Sequence, residues 1–454
     1  MTGSATAFVA YYRLNNNIVS QDVSGFLDDK DRPAKVAEDD NAENILIIGS
    51  DARSGLAATN VSGQRSDTTI LLHLPADRES ATLVSIPRDS WVELPRCKRE
   101  DGSTVPPSTQ RFNTAYSQGG TACTIRTVEK LTNVRIDHHV VLNFRGFRHM
   151  VDAVNGVEIC LPEDVDDPKS HLSLSAGRHT VNGRQALAYV RTRHGLGDGS
   201  DLSRIDRQQA FLSSLVSKVS GNGLLFRPDR LFGFLDAATK SIATDPDLAD
   251  LFRLRKLAQS VRGVDTRNVN FVTVPNEPNP DDPNTVVWKP SANALWSAIR
   301  YDRPLPGQEK KPGPTTSPTS DPSASATDEP LKTPPENIRV TVLNGSGVPG
   351  AASKAAADLE AAGFVVTAVG DADRDDFRTT TVSHDPAYDE SGRTLAAALP
   401  GSEVEQDPTL GSNLVVVVGS DDVQVSPVEV SGSTASPQPE ESLKTRSADQ
   451  DICS

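Results

Sequence analysis

Short apolar runs, each ending in a cluster of charged or turn-forming residues, recur along this chain from Asn44 onward. Runs of four to seven apolar residues bounded in this way read as buried strands, and spacings of three and four read as helices. The pattern predicts strands at 44–48, 68–74, 81–86, 139–144, 157–161 and 269–274. It predicts helices at 124–131, 147–154, 229–239, 248–262 and 291–300. A further helix opens near Ser203, with Phe211, Leu215 and Val219 as its buried stripe. The run 187–191 reads as extended, so that Arg191 and Arg193, two apart, point the same way. A Pro/Ser/Thr-rich stretch over 303–336 is a linker. Beyond it a smaller unit reads strand 338–343, helix 351–362, strands 365–369 and 379–383, helix 391–399 and strand 414–418. The predicted organisation is a membrane-proximal stub and stalk (1–43), a main domain (44–302), the linker, a small α/β domain (337–421) and a disordered polar tail (422–454).

Charge narrows the function. The 454 residues carry a formal net charge of −15, which argues against a nucleic-acid binder. The four cysteines, Cys97, Cys123, Cys160 and Cys453, form no CxxC pair and suit an exported protein with one or two disulfides. Three pairings are open; Cys97 with Cys123, which bracket a polar loop, is favoured. No apolar stretch is long enough to span a bilayer. The run Ala5 to Tyr12, ending in Arg13, nevertheless resembles the outer end of a membrane helix whose first part precedes this chain.

Within this acidic protein the arginines concentrate at 187–209. Arg204, Arg207 and Gln208 fall at i, i+3 and i+4, on one helical face. Guanidinium groups crowded in this way call for an anion, and their fork suits phosphate oxygens. The bland alternative is a surface salt-bridge cluster. Strand ends upstream add Asp51, Asp67, Arg88 and Asp89. Two carboxylates among several arginines fit Mg²⁺ held by Asp51 and Asp67 and bridged to phosphate. Arg88, Arg191, Arg193 and Arg204 then neutralise the remaining charge, as phosphoryl transfer requires. Asp89 is either the base for an attacking hydroxyl or the group that orients Arg88, with the second favoured. In the small domain, Gly345, Gly347 and Gly350 with Asp371 match a dinucleotide fingerprint on paper. Pro349 and the domain's small size point instead to a tight strand-to-helix turn.

The segments GSDAR, RSD, SIPRDS, RFNTAY, GRHTVNGRQALAYVRTRH and SRIDRQQ occur, in order, across roughly Asn44 to Val219. In this the chain resembles the LytR-CpsA-Psr family. The resemblance implies an α-β-α sandwich with a central mixed sheet, followed by a small C-terminal α/β domain of actinobacterial type. It implies a membrane-anchored, extracytoplasmic phosphotransferase that moves a glycopolymer from a polyprenyl-diphosphate carrier onto cell-wall peptidoglycan, assisted by Mg²⁺. By motif, Asp51 and Asp67 are the metal ligands, and Arg65, Arg88, Arg191, Arg193, Arg204 and Gln208 the diphosphate-binding set. Arg207 shares the last motif, and Asn113 matches a position that supports structure. The family's apolar groove for the lipid falls on the central strands and the Leu/Phe-rich helices of 212–257. Two alternatives stand beside transfer: hydrolysis of a prenyl diphosphate at the same site, and a non-catalytic envelope regulator of the transcriptional-attenuator type.

Overall fold

In the computed structural model the charged stops end strands, as the pattern requires, and two compact units result: residues 1–302 with 443–454, and residues 303–442. The structure describes residues 2–28, 30, 32–35, 41–50, 66–99, 101–192, 201–220, 228–261, 263–306, 308, 331, 333–408, 410, 413–421, 424–426, 428 and 443–453. Asp51, Arg65 and Arg193 therefore lie outside the described residues.

The first unit is built on β1 (Val19–Ser20), β2 (Glu43–Ser50), β3 (Ser66–Leu74), β4 (Ala81–Ile86), β5 (His138–Asn143), β6 (Ile242–Thr244) and β7 (Val269–Thr273). Its helices are α1 (Thr2–Asn17), α2 (Thr114–Thr132), α3 (Phe144–Ala153), α4 (Gly183–Arg191), α5 (Asp201–Ser220), α6 (Pro228–Thr239), α7 (Leu251–Ser260) and α8 (Ala292–Arg300). The sheet runs β1–β6–β5–β2–β3–β4–β7 and ends on a terminal strand, Thr445–Ser447. It is mixed: β2 runs parallel to β5 and β4 parallel to β7, while β3 lies antiparallel to both β2 and β4. Register Ile45↔Leu72, Leu72↔Leu83 and Leu83↔Phe271 puts these side chains on one face. Leu212 and Val216 of α5 and Leu257 of α7 pack there. Residues of the opposite parity, Leu46, Ile48, Leu71 and Val84, are fully buried on the other face. This is the α-β-α sandwich with a central mixed sheet.

Three sequence expectations change. The run 187–191 is helical, because Asn182 and Gln185 form a capping box that starts α4. Helix α2 is longer than the 124–131 expected, beginning at Thr114. The tail is not wholly disordered: Thr445–Ser447 pairs antiparallel with β7, Ser213 and Ser217 donate to the Ala448 carbonyl at 2.8 and 3.0 Å, and Ala448 is buried. Disulfides join Cys97 to Cys123 and Cys160 to Cys453. The second of these ties the chain terminus to the first unit.

None of the described helices is long and apolar enough to cross a membrane. Helix α1, which holds the Ala5 to Tyr12 run, is attached to its neighbours: Arg13 pairs with Asp236 at 3.0 Å, and the Asn15 side chain accepts from the Leu251 amide. Phe8 and Tyr12 stay exposed.

The second unit forms a five-stranded sheet ordered β9–β8–β12–β10–β11. The strands are β8 (Arg339–Asn344), β9 (Val365–Asp371), β10 (Thr381–His384), β11 (Glu403–Gln406) and β12 (Asn413–Val418). Strand β11 carries no apolar run and was not legible. Gly347 and Gly350 adopt φ of 71° and 84° ahead of the helix Ala351–Ala361, the left-handed region that a tight turn demands.

Two predictions follow from this scaffold. Replacing Cys97 and Cys123 together with alanine should lower unfolding stability by about 3 kcal/mol, the entropy of a 26-residue closure, as read by denaturant titration. His139 is buried, its Nε2 has no hydrogen-bond partner among the described residues, and burial pushes its pKa down to about 4 from 6.5. The unfolded chain then binds the extra proton between those values. Stability should therefore fall by up to about 3 kcal/mol as pH drops from 6.5 to 4. His139→Gln should flatten that segment of the pH–stability curve.

Candidate functional site

The site lies where β2 and β4 end and β3 begins. Thr69 pairs with Ile86, so continuing the antiparallel register past both residues brings Asp67 opposite Arg88. The Arg88 guanidinium donates to Asp67 Oδ1 at 2.9 Å. Its Nε lies 3.3 Å from Asp201 Oδ1 and 3.5 Å from Asp89 Oδ2. Asp201, at the start of α5, also pairs with Arg204 one turn later. Arg204 Nη2 reaches the Asp67 carbonyl at 3.3 Å. The loop after β4 is held in place by the RFN segment, since the Phe112 amide donates to the Ser90 carbonyl and the Asn113 amide to the Arg88 carbonyl.

The Asp201–Arg204 pair is the most withdrawn from solvent. The Arg204 side chain is 5 % exposed and that of Asp201 10 %. Burial raises the Asp201 carboxyl above the usual range, against the pull of Arg204 and Arg88. Burial likewise lowers Arg204, though a guanidinium stays protonated. The polar atoms are also incompletely matched. Asp201 Oδ2, Arg204 Nε and Asn113 Oδ1 are buried with no hydrogen-bond partner among the described residues. A buried orphan carries a penalty of about 1–3 kcal/mol. Orphan acceptors beside an orphan donor are what a cation together with an anion would satisfy.

Asp89 is engaged on both oxygens. Arg111 Nη1 donates to its Oδ1 at 3.5 Å, while Arg88 faces its Oδ2. A carboxylate held between two guanidinia orients them, which favours the positioning reading over that of a base. Arg207 donates to the Thr192 carbonyl at 2.6 Å and Gln208 to the Val190 carbonyl at 3.2 Å. Both close the C-terminal end of α4, whose last carbonyls would otherwise be unsatisfied. Arg191, at the end of α4, stacks 4.9 Å over the Phe144 ring, because its backbone is helical where an extended one was expected.

The sequence reading missed Asp201 and Arg111. Asp201 stands three residues before Arg204, an i, i+3 pair in the first turn of a helix. That spacing was the available signal. Arg111 opens the RFNTAY motif, but its role was not legible there, since it meets Asp89 through the pairing of the hairpin Trp91–Leu94 with Ser108–Arg111.

From this end of the sheet an apolar strip leads away. Gln209 donates to Ser85 Oγ and Thr273 Oγ1, both at 3.1 Å. One turn further along α5 come Leu212 and Val216, facing Ile47, Leu72, Leu83 and Val140 of the sheet and Leu257 and Val261 beyond. All of these are only partly buried.

The chain is similar in sequence to several known proteins. The cell wall biosynthesis protein LcpA of Corynebacterium glutamicum is 30 % identical over 433 residues, covering 87 % of this chain and 80 % of its own length. TagT of Bacillus subtilis, named a polyisoprenyl-teichoic acid–peptidoglycan teichoic acid transferase, is 34 % identical over 181 residues; the match spans about half of it, 52 %. Among solved structures, a LytR-Csp2A-Psr enzyme from Actinomyces oris superposes with a TM-score of 0.48 at 22 % identity, over 62 % of this chain and 96 % of that one. Residues 337–421 match the domain described as LytR cell envelope-related transcriptional attenuator. Residues 9–300 match the LytR-CpsA-Psr family, and the chain belongs to that family.

Proposed function

We propose that this protein is a cell-envelope phosphotransferase that moves a glycopolymer from a polyprenyl-diphosphate carrier onto peptidoglycan, with Mg²⁺ as cofactor. The observation that carries the reading is the partly buried Asp67–Arg88–Asp201–Arg204 cluster at the mouth of the apolar strip. A charged head attached to a long apolar tail matches both halves of that surface at once. The names of LcpA and TagT, cell wall biosynthesis and polyisoprenyl-teichoic acid transfer, support the same class of chemistry.

In this reading the diphosphate sits against Arg88 and Arg204, whose guanidinia take up the charge that grows in the transition state. The prenyl chain lies along Ile47, Leu72 and Leu83 beneath Leu212 and Val216. An acceptor hydroxyl oxygen bonds to the glycan-side phosphorus as the bond from that phosphorus to the bridging oxygen breaks. Polyprenyl phosphate departs with the electron pair, and the hydroxyl proton passes to water. Asp89 keeps Arg88 and Arg111 in position and takes no proton. Asp67 and the unpartnered oxygen of Asp201 are hard oxygen ligands of the kind Mg²⁺ prefers, with Asp51 expected beside them from its motif. Bound there, Mg²⁺ would neutralise part of the diphosphate charge.

Three outcomes are expected. Arg88→Ala and Arg204→Ala should each reduce transfer from a prenyl-diphosphate glycan by about 100-fold or more, while circular dichroism stays that of the folded protein. Full activity in both variants would remove these residues from the site. Val216→Trp, which fills the strip, should raise KM for long prenyl carriers more than for short ones. Asp67→Asn should shift the Mg²⁺ titration of activity to higher concentration. Omitting the peptidoglycan acceptor separates transfer from hydrolysis, because a hydrolase would release polyprenyl phosphate equally fast without it.

A further inference from the structure

A single helix, α7, separates the far part of the apolar strip from the exterior. Leu257 and the capping residue Val261, four apart, pack against the strip. Phe252, Arg255 and Lys256, at i, i+3 and i+4, share the opposite face of the helix. All three are exposed, Phe252 by 65 %, and no residue of α7 is fully buried. A phenylalanine left in water at that position contributes little to folding stability.

Helix α1 continues the same surface. The Tyr11 hydroxyl donates to Asp250 Oδ2 at 3.3 Å, and Asp250 Oδ1 accepts from the Phe252 and Arg253 amides. Tyr11 and Phe252 therefore meet at the start of α7. The rings of Phe8 and Tyr12 lie 4.5 Å apart, and that of Tyr11 lies 5.9 Å from Tyr12. Among the described residues of the first unit, six large apolar or aromatic side chains are exposed. Five of them, Phe8, Val9, Tyr11, Tyr12 and Phe252, lie on these two helices. Apolar exposure gathered in one patch, rather than scattered, marks an interaction surface.

Charge decides the kind of partner. In a chain of net charge −15, α7 holds Arg253, Arg255 and Lys256 and no acidic residue. The carboxylates around it are engaged: Asp236 by Arg13 and Lys240, Asp245 by His138, and Asp247 by Arg253. Among the described residues, nothing pairs with Arg255 or Lys256. Exposed aromatic rings flanked by uncommitted cations are the composition of a helix that lies in the headgroup layer of an anionic bilayer. The strip directly behind α7 favours a lipid surface over an acidic protein, because only the former continues the apolar track.

We infer that the outer face of α7, flanked by α1, docks the folded domain on a bilayer of anionic phospholipid. Phe252 enters the interface, and Arg255 and Lys256 meet the headgroup phosphates. The strip then lies one helix, roughly 10 Å, from the lipid. The inference rests on the transfer reading for the use of the strip, and adds to it the surface from which a carrier is taken.

The test is flotation of the full-length protein with vesicles of phosphatidylcholine alone and of phosphatidylcholine mixed with phosphatidylglycerol. The protein should float with the mixed vesicles and not with the neutral ones, and binding should weaken as salt rises. Arg255→Glu/Lys256→Glu should lower binding by about tenfold or more, and Phe252→Ser should lower it too. All three positions are exposed, so circular dichroism should stay that of the parent. Phe252→Trp should show quenching by brominated lipid beyond that of the parent's own tryptophans. Absent binding, equal binding to neutral vesicles, or unchanged binding in the α7 variants would each overturn the proposal. So would loss confined to Phe8→Ser/Tyr12→Ser, which would place the contact on α1 alone. A dimer in solution that Phe252→Ser dissociates would also overturn it, by assigning the face to a second copy. Transfer is judged separately, on a prenyl-diphosphate glycan in detergent with no bilayer present. There Arg88→Ala should fail and Arg255→Glu/Lys256→Glu should keep the parent's rate, so the two failures are distinguishable.

Discussion

The pairing of Asp201 with Arg204 and Arg88 is the contact on which the arrangement of this domain's working end depends. Withdrawing two cations and a carboxylate from water costs several kcal/mol per ion, which mutual attraction recovers only when each group is well matched. Here the matching stops short, leaving an acceptor on Asp201 and a donor on Arg204 without partners. A fold selected for stability alone would be as well served by apolar side chains at these positions. The cluster makes physical sense as a site prepared for a ligand of mixed charge, its donors fixed before binding so that little reorganisation remains at the moment of reaction.

The surroundings maintain that preparation. Register between β3 and β4 sets Asp67 opposite Arg88, the RFN segment holds the following loop by backbone hydrogen bonds, and α5 delivers Arg204 from the opposite side. Helix α5 then serves a second purpose, because its next two turns roof the apolar strip. One helix thus joins the charged cluster to the apolar strip. A displacement of α5 would disturb both together.

Much of this was legible in the sequence, for identifiable reasons. The strands ending in Ser50 and Ile86 and the one beginning at Ser66 were readable because apolar runs stop abruptly at charged residues. The helical face of Arg204, Arg207 and Gln208 was readable from spacing, but the division of labour on it was not. Arg204 reaches the Asp67 carbonyl, while Arg207 and Gln208 donate to carbonyls at the end of α4. Amphipathic spacing says which residues share a face and nothing about which neighbour that face meets. The extended reading of 187–191 failed because the apolar run outweighed the capping box at Asn182 and Gln185, a local signal that starts a helix. Asp201 and Arg111 were missed because each acquires its meaning from a partner brought near by folding. The terminal strand was missed because its three residues carry no apolar pattern, and its order comes from β7, Ser213, Ser217 and Cys160.

That terminal strand changes how the chain is connected. The second unit, 303–442, is interposed in the first, which resumes at residue 443 and is sealed by Cys160–Cys453. The polypeptide is therefore topologically a ring with the small domain as a segment of its circumference. A protease that nicks the Pro/Ser/Thr-rich stretch opens the ring without shedding the domain, and both pieces remain joined through sulfur. Such a closure keeps the two domains in one molecule after a cut that would separate an ordinary tandem pair.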